Sequence, residues 1–185
     1  MNSHTLRSMA LAAALGVVVC GLAVRSAGAQ PNAKVAKNDP CKLVTQDEIK
    51  AALQAKRDES HETQKVALSI TSMKSVTRGE ARICEIQWEA TAGGKMQEKG
   101  ELNVNVFDAE YFKSEVSDLN RKRSRTSRPK LSQIPELLPN EAYFFGYSDK
   151  GNPEVLIGDV AVGVEFLKGK PSVDLLRAAV KRVVH

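Results

Sequence analysis

The chain has 185 residues, 42% of them hydrophobic and 26% charged, with a formal net charge of +5. That is a single-domain length, and a charge this small gives no bulk electrostatic case for nucleic-acid or membrane partners. No catalytic, metal-ligand or cofactor motif rises above background, so compartment, framework and fold class are the properties that can be read first.

Residues 1–29 follow the order of an export signal. A polar start with one positive charge at Arg7 leads into an apolar run from Met9 to Val24, and no acid occurs before Gln30. The run is shorter than the ~20 residues a spanning helix needs. Ala27-Gly28-Ala29 offers small side chains to signal peptidase, so cleavage after Ala29 is expected. A lipidated start at Cys20 is disfavoured because Val17-Val18-Val19 precede it and a β-branched residue fits that processing pocket poorly. The expected location is therefore extracytoplasmic, periplasmic or secreted, with no transmembrane anchor after cleavage. The mature chain carries +3, and its excess lies in one segment: Arg121, Lys122, Arg123, Arg125, Arg128 and Lys130, with no acid among them.

Cleavage leaves two cysteines, Cys41 and Cys84, and in an oxidising compartment a disulfide between them is the default. A redox pair would normally be spaced Cys-x-x-Cys, and a zinc site would have to recruit His61 and His185.

In chain order, 30–38 is polar and aperiodic and reads as a disordered lead-in, with a single α+β domain over 39–185. Thr45 with Glu48 forms a capping pair and Val44 with Ile49 a hydrophobic staple, which predicts a helix from Gln46 with Ile49, Ala52 and Leu53 inward. Three alternating segments follow: Val66, Leu68 and Ile70; Cys84, Ile86 and Trp88; Leu102, Val104 and Val106. Asn103 and Asn105 fall on the opposite face. Gly93-Gly94 lies between the second and third segments, in a connection read as longer than a tight hairpin. Asp108 caps a helix bearing Phe112, Val116 and Leu119, which stops before Pro129. Strands are expected over 142–147, 154–157 and 160–167, separated by turn chemistry at 149–153 and at Gly158-Asp159. Ser172 is read as the cap of a last helix with Leu175, Leu176, Ala179, Val180 and Val183 inward, and Lys181, Arg182 and His185 matching its dipole.

The expected architecture is α+β: an antiparallel sheet of about six strands with three helices, in the order α-βββ-α-βββ-α, suggesting a weak internal duplication. Phe144 faces away from Tyr143, Phe145 and Tyr147, which implies that part of the sheet is covered on both sides.

Asp39-Pro40-Cys41-Lys42-Leu43-Val44-Thr45-Gln46-Asp47-Glu48, then Cys84 with Trp88 nearby, then Asn140-Glu141-Ala142-Tyr143, resemble a group of small bacterial exported proteins and lipoproteins, most of unknown function. They are also distantly similar to the extracytoplasmic sensor domains attached to some bacterial kinases. The resemblance implies an exported, disulfide-pinned α+β domain and supplies neither a reaction nor a ligand. Two features depart from it: the mature start is not a lipidated cysteine, and Leu138-Pro139 stand where a glycine is expected before Asn140.

Candidate sites are few. The aromatic run Tyr143, Phe145 and Tyr147 is a ligand wall or, more commonly for such a run, core. The basic residues Arg121, Lys122, Arg123, Arg125, Arg128 and Lys130 are an anion-binding surface for an anionic envelope component or acidic protein, or a solvated helix end. Glu85 and Glu89, with Gln87 between them, are a carboxylate pair or a solvated sheet face. Gly158 and Gly163 have the interval of a phosphate loop, but Val164-Glu165 replaces the lysine and hydroxyl such a loop needs. No catalytic residue, metal ligand, cofactor or nucleic-acid partner is assigned, and His61 and His185 have no rigid support for nucleophilic catalysis. The functional expectation is a non-catalytic extracytoplasmic binding or accessory domain. The alternatives are a sensor-like small-ligand binder and a hydrolase using surface carboxylates.

N-terminal sequencing of protein from its native host is expected to start at Gln30. A lipid-modified Cys20 or an intact Met1 would contradict the export reading.

Overall fold

The computed structural model describes residues 33–60, 62, 64–123, 131–146 and 151–183. The expected signal peptide, His61 and His185 lie outside the described residues, and within them no helix is long and apolar enough to cross a membrane.

The fold is α+β, built on one antiparallel sheet. Its elements are α1 (Ala33–Lys37), α2 (Gln46–Glu59), β1 (Ala67–Arg78), β2 (Ala81–Ala92), β3 (Lys95–Asp108), α3 (Ala109–Arg123), β4 (Ser132–Gln133), β5 (Glu141–Phe145), β6 (Asn152–Ile157), β7 (Val160–Glu165) and α4 (Lys170–Val180). The sheet order is β1-β2-β3-β7-β6-β5-β4. Six strands and three helices were expected, and the described residues hold seven and four. The additions are β4, a two-residue strand too short to show a period, and α1. That short helix lies inside the stretch read as a lead-in; Val35 is fully buried in the core, and Arg82 donates to the carbonyls of Ala36 at 2.7 Å and Asn38 at 3.2 Å. Burying one valine is worth roughly 1.5 kcal/mol, enough to help dock a segment whose remaining residues are polar.

The first three strands are longer than their hydrophobic alternation indicates because two-residue turns join them. Arg78 pairs with Ala81 across Gly79-Glu80, and Ala92 pairs with Lys95 across Gly93-Gly94. Gly93 and Gly94 have φ of 56° and 75°, the double positive φ of the turn that matches strand twist. The connection is thus a tight hairpin, not the longer loop expected.

Thr45 caps α2 in the reciprocal box with Glu48, and Val44 and Ile49 are both buried. The last helix starts earlier than expected. Gly169, with φ of 72°, precedes it, and Pro171 in the first turn needs no donor, so the chain is helical from Lys170. Ser172 lies inside α4, fully buried, and its hydroxyl donates to the Gly169 carbonyl at 2.6 Å. Arg182 follows the helix and clamps it to α2, donating to the Leu43 carbonyl at 3.1 Å and to Glu48 Oε1 at 2.9 Å.

The principal core lies between one sheet face and α2 and α4, where Cys84, Ile86, Trp88, Leu102, Val104, Val106, Phe144 and Val162 meet Ile49, Leu53, Leu175 and Leu176. Trp88 is seated by Gly100 across the β2–β3 ladder, where a Cβ would lie 2.7 Å from the indole. A second cluster, Phe107, Phe112 and Ala161 with Tyr143, Phe145, Leu156 and Val116 around it, lies on the other face beneath α3. The sheet is thus covered in part on both sides. The helices that open the two expected repeats lie on opposite faces, so the repetition in element order is not a structural repeat.

Cys41 and Cys84 form a disulfide, with 4.9 Å between their Cα atoms. It ties the 3-10 turn Pro40–Lys42, which Asp39 caps by accepting from the Cys41 N–H, to the buried centre of β2. With a sequence separation of 43 residues, the crosslink is worth about 4 kcal/mol in the chain-entropy account. Denatured, unreduced protein should therefore show no free thiol from this pair, and Cys41→Ser with Cys84→Ser should lose about 4 kcal/mol in urea unfolding. Two titratable thiols at these positions would contradict the pairing.

Candidate functional site

The outer sheet face is where sequence polarity and structural burial part company. Along β3 the residues facing away from the principal core are Asn103, Asn105 and Phe107, a set whose asparagines suggest solvent. Yet Phe107 is buried and Asn105 is only 9% exposed. The cause is α3, which leaves β3 directly at Asp108 and returns across this face. The Asp108 carboxylate accepts from the Glu110 N–H at 2.7 Å, and the Ala109 N–H donates to Asp159 of the β6–β7 turn at 3.2 Å. Phe112 anchors the helix, fully buried, with ring centroids 5.6 Å from Phe145 and 6.2 Å from Tyr143.

Beyond this anchor α3 and the sheet enclose a cleft of about 1000 Å³. Its floor follows from the strand register. Asn105 pairs with Gly163, and Gly163 with Glu154, so one row across β3, β7 and β6 holds an amide, a glycine and a carboxyl group. The glycine is required because its neighbours already fill the space above it: a Cβ on Gly163 would lie 3.1 Å from Glu154 Cγ and 3.6 Å from Phe107 Cε1. Phe107 and Tyr111, edge to face with centroids 5.4 Å apart, together with Phe145, form apolar wall. Glu115 and Asp118 of α3, Glu165 of β7, and Arg78 with Glu80 at the β1–β2 turn complete the charged lining.

Two polar atoms in this row are buried without a hydrogen-bond partner: Asn105 Oδ1 and Glu154 Oε2. A buried polar group left unsatisfied costs roughly 1–3 kcal/mol. Burial also pushes the Glu154 carboxyl up to about 8, and the neighbouring Glu115 and Glu165 add to the shift by repelling a second negative charge. Tyr111 is likewise raised, by burial first and then by Glu115, to which its hydroxyl donates at 3.2 Å. Several of the other charged groups that line the cleft with Glu154 have partners of their own. Arg78 is ion-paired with Glu85, Asp118 with Arg121 at 2.7 Å, and Glu165 Oε2 accepts from Asn103 Nδ2 at 3.5 Å. No group of three or more His, Cys, Asp or Glu side chains suited to a metal ion occurs among the described residues.

The structure places the residues singled out from the sequence as follows. Phe145 lines the cleft and Tyr143 lies beside it against Phe112, so the aromatic run is partly core and partly wall. Tyr147 lies outside the described residues. Of the basic segment, Arg121 is exposed and paired with Asp118; nothing is described of the side chains of Lys122 and Arg123, and Arg125, Arg128 and Lys130 lie outside the described residues. Glu85 is held by Arg78, and Glu89 lies on β2 away from the cleft. The residues that matter most, Asn105, Glu154 and Gly163, were not candidates. One signal was present: the two-residue turn at Gly158-Asp159 sets the β6–β7 register and so places Glu154 beside Gly163.

The shift at Glu154 has a defined consequence for stability. The folded chain keeps a proton that the unfolded chain, titrating near 4.5, has released, so stability falls as pH rises from about 4.5 to about 8. Glu154→Gln should match the parent near pH 4 and be more stable above pH 8, by up to about 4 kcal/mol, in urea unfolding. Equal pH profiles for the two proteins would contradict the burial of this carboxyl.

Neither the known family models, nor the characterised proteins, nor the solved structures include a match to this chain, so its function has to be read from the chemistry of the cleft.

Proposed function

We propose that the chain is an extracytoplasmic binding domain whose small-molecule ligand occupies the cleft between α3 and the outer sheet face. The disulfide supports the compartment, since such crosslinks persist where thiols are not kept reduced. The observation that carries the binding reading is the cleft itself, about 1000 Å³, in which Asn105, Tyr111, Glu115, Glu154 and Glu165 are set among Phe107 and Phe145. A fold optimised only for stability would fill the row of Asn105, Gly163 and Glu154 with apolar side chains, as the neighbouring row of Phe107, Ala161 and Leu156 does. The site instead combines apolar wall with a few convergent polar groups, the composition typical of small-molecule pockets.

This reading narrows the sequence-based expectation to its sensor-like form. A hydrolase built on Glu85 and Glu89 gains nothing from the arrangement, because Arg78 occupies the first and the second lies outside the cleft. The anionic-partner reading of the basic segment is independent of the cleft and remains a separate proposal.

Amide chemical-shift mapping with a chemically mixed fragment set is expected to move Asn105, Glu154, Gly163 and Tyr111 together. Gly163→Ala, whose methyl group would lie 3.1 Å from Glu154 Cγ and displace that side chain, should abolish those shifts at a stability cost of about 1–3 kcal/mol. Fragment shifts confined to other surfaces, or unaltered in Gly163→Ala, would overturn the assignment.

A further inference from the structure

We propose a second binding site on the outer sheet face, beyond the part that α3 covers, which takes one ring of a neutral saccharide against Phe166. It is distinct from the cleft under α3, and the two linings share Arg78 alone.

The site starts from an aromatic residue that the core does not use. Along β7 the alternation sends Val162 and Val164 to the principal core and sets Glu165 beside Asn103 on the outer face, so the next residue is due inward. Phe166 instead has φ of 64°, and it is the one non-glycine residue with positive φ among the described residues. The core place is filled one residue later by Leu167, which is fully enclosed, while Phe166 is left 60% exposed and belongs to neither hydrophobic cluster. The end of the strand accounts for the backbone angle but not for the ring. A left-handed position suits glycine or asparagine, and a bulky side chain there is a steric outlier. An aromatic residue that is strained and buries little adds nothing to packing, and strain of this kind gathers at ligand clamps.

The ring borders a cavity of about 230 Å³ with no residue of α3 in its lining. The floor follows from the β2–β3 ladder: Gln87 pairs with Glu101 and Glu85 with Asn103, which sets four polar side chains in a block on the outer face. Phe166, from the end of β7, and Arg78, from the end of β1, stand on either side of that block in the sheet order. Gln87 and Glu101 are exposed, Arg78 is ion-paired with Glu85, and Asn103 Nδ2 donates to Glu165 Oε2 at 3.5 Å.

The chemistry of this lining selects the ligand. Two amides and a guanidinium supply donors, and two carboxylates with the same amides supply acceptors. All five are planar groups with paired polar atoms. They match adjacent hydroxyls on a sugar ring, each of which both donates and accepts. Arg78 already neutralises Glu85, so the cavity gathers no field strong enough to concentrate a free ion of either sign. The aromatic ring completes the match, because one face of a sugar is a sheet of C–H groups that an exposed phenyl covers while the hydroxyls turn to the polar floor. The volume lies below the roughly 300–1,000 Å³ of pockets for drug-sized ligands, as suits a single ring.

The test titrates methyl β-glycosides of gluco, galacto, manno and N-acetylgluco configuration into the oxidised full chain. Cyclohexanol serves as a six-membered ring without neighbouring hydroxyls, and binding is followed through the amide shifts of Gln87, Glu101 and Phe166. At least one glycoside is expected to move these resonances together, with a Kd in the millimolar range usual for so small a ligand, and to bind more tightly than cyclohexanol. Phe166→Asn removes the ring and installs a residue suited to positive φ. It should weaken binding by about tenfold while the urea midpoint equals or exceeds the parent's. Phe166→Trp keeps an aromatic face and should bind at least as tightly, and Gln87→Ala should weaken binding several-fold. Shifts of Tyr111 and Gly163 report the cleft under α3 separately, so failure of one site is distinguishable from failure of the other. If no glycoside moves Gln87, Glu101 and Phe166, if cyclohexanol binds there as tightly, or if Phe166→Asn leaves the affinity unchanged, the saccharide site is overturned.

Discussion

The pairing of β3 with β7 is the constraint on which the rest depends. Each of these strands is the last of a meander, β1-β2-β3 on one side and β4-β5-β6-β7 on the other, and six residue pairs from Asn103 with Glu165 to Asp108 with Val160 join them into one sheet. On the inner face the joint sets Val104 and Val106 beside Val162 and Val164, giving α2 and α4 a continuous apolar floor. On the outer face the same register sets Asn105 beside Gly163 and, one strand further, Glu154. A shift of one residue would turn every side chain of β7 to the opposite face and bury Glu165 and Gly163 in the principal core. Core and cleft are thus two consequences of one register.

The outer face divides according to what α3 covers. Near the start of the helix, Phe107, Ala161 and Leu156 pack with Phe112 into an apolar cluster that holds α3 to the sheet. One row further, Asn105, Gly163 and Glu154 provide polarity where apolar packing would otherwise continue. The destabilisation from the unsatisfied Asn105 oxygen and a Glu154 carboxyl forced to keep its proton amounts to several kcal/mol. A domain whose net stability is typically 5–15 kcal/mol carries that load more readily when a disulfide worth about 4 kcal/mol pins the opposite side of the sheet.

What the sequence made legible follows the range of the interactions. Thr45 with Glu48, the alternation of Leu102, Val104 and Val106, and the pairing of Cys41 with Cys84 are local or unique, and each is found in place. The start of α4 was misplaced because Ser172 fits a capping preference that Pro171, one residue earlier, overrides. Asn105 was placed on the face opposite Leu102, Val104 and Val106 because period-two alternation reports polarity, and only the return of α3 over the sheet, a nonlocal event, converts that polarity into burial. The β6–β7 half of the floor was within reach from the Gly158-Asp159 turn. Its other half was not, since nothing local in β3 announces β7 as its partner.

The burial of the outer sheet face turns on the state of one carboxyl group. Carbon-detected NMR of the Glu154 side chain, titrated in the oxidised full chain, reads it directly. A midpoint near 8 is the predicted result. A midpoint in the ordinary carboxylate range would show that the carboxyl is solvated, and that α3 does not bury the row of Asn105, Gly163 and Glu154.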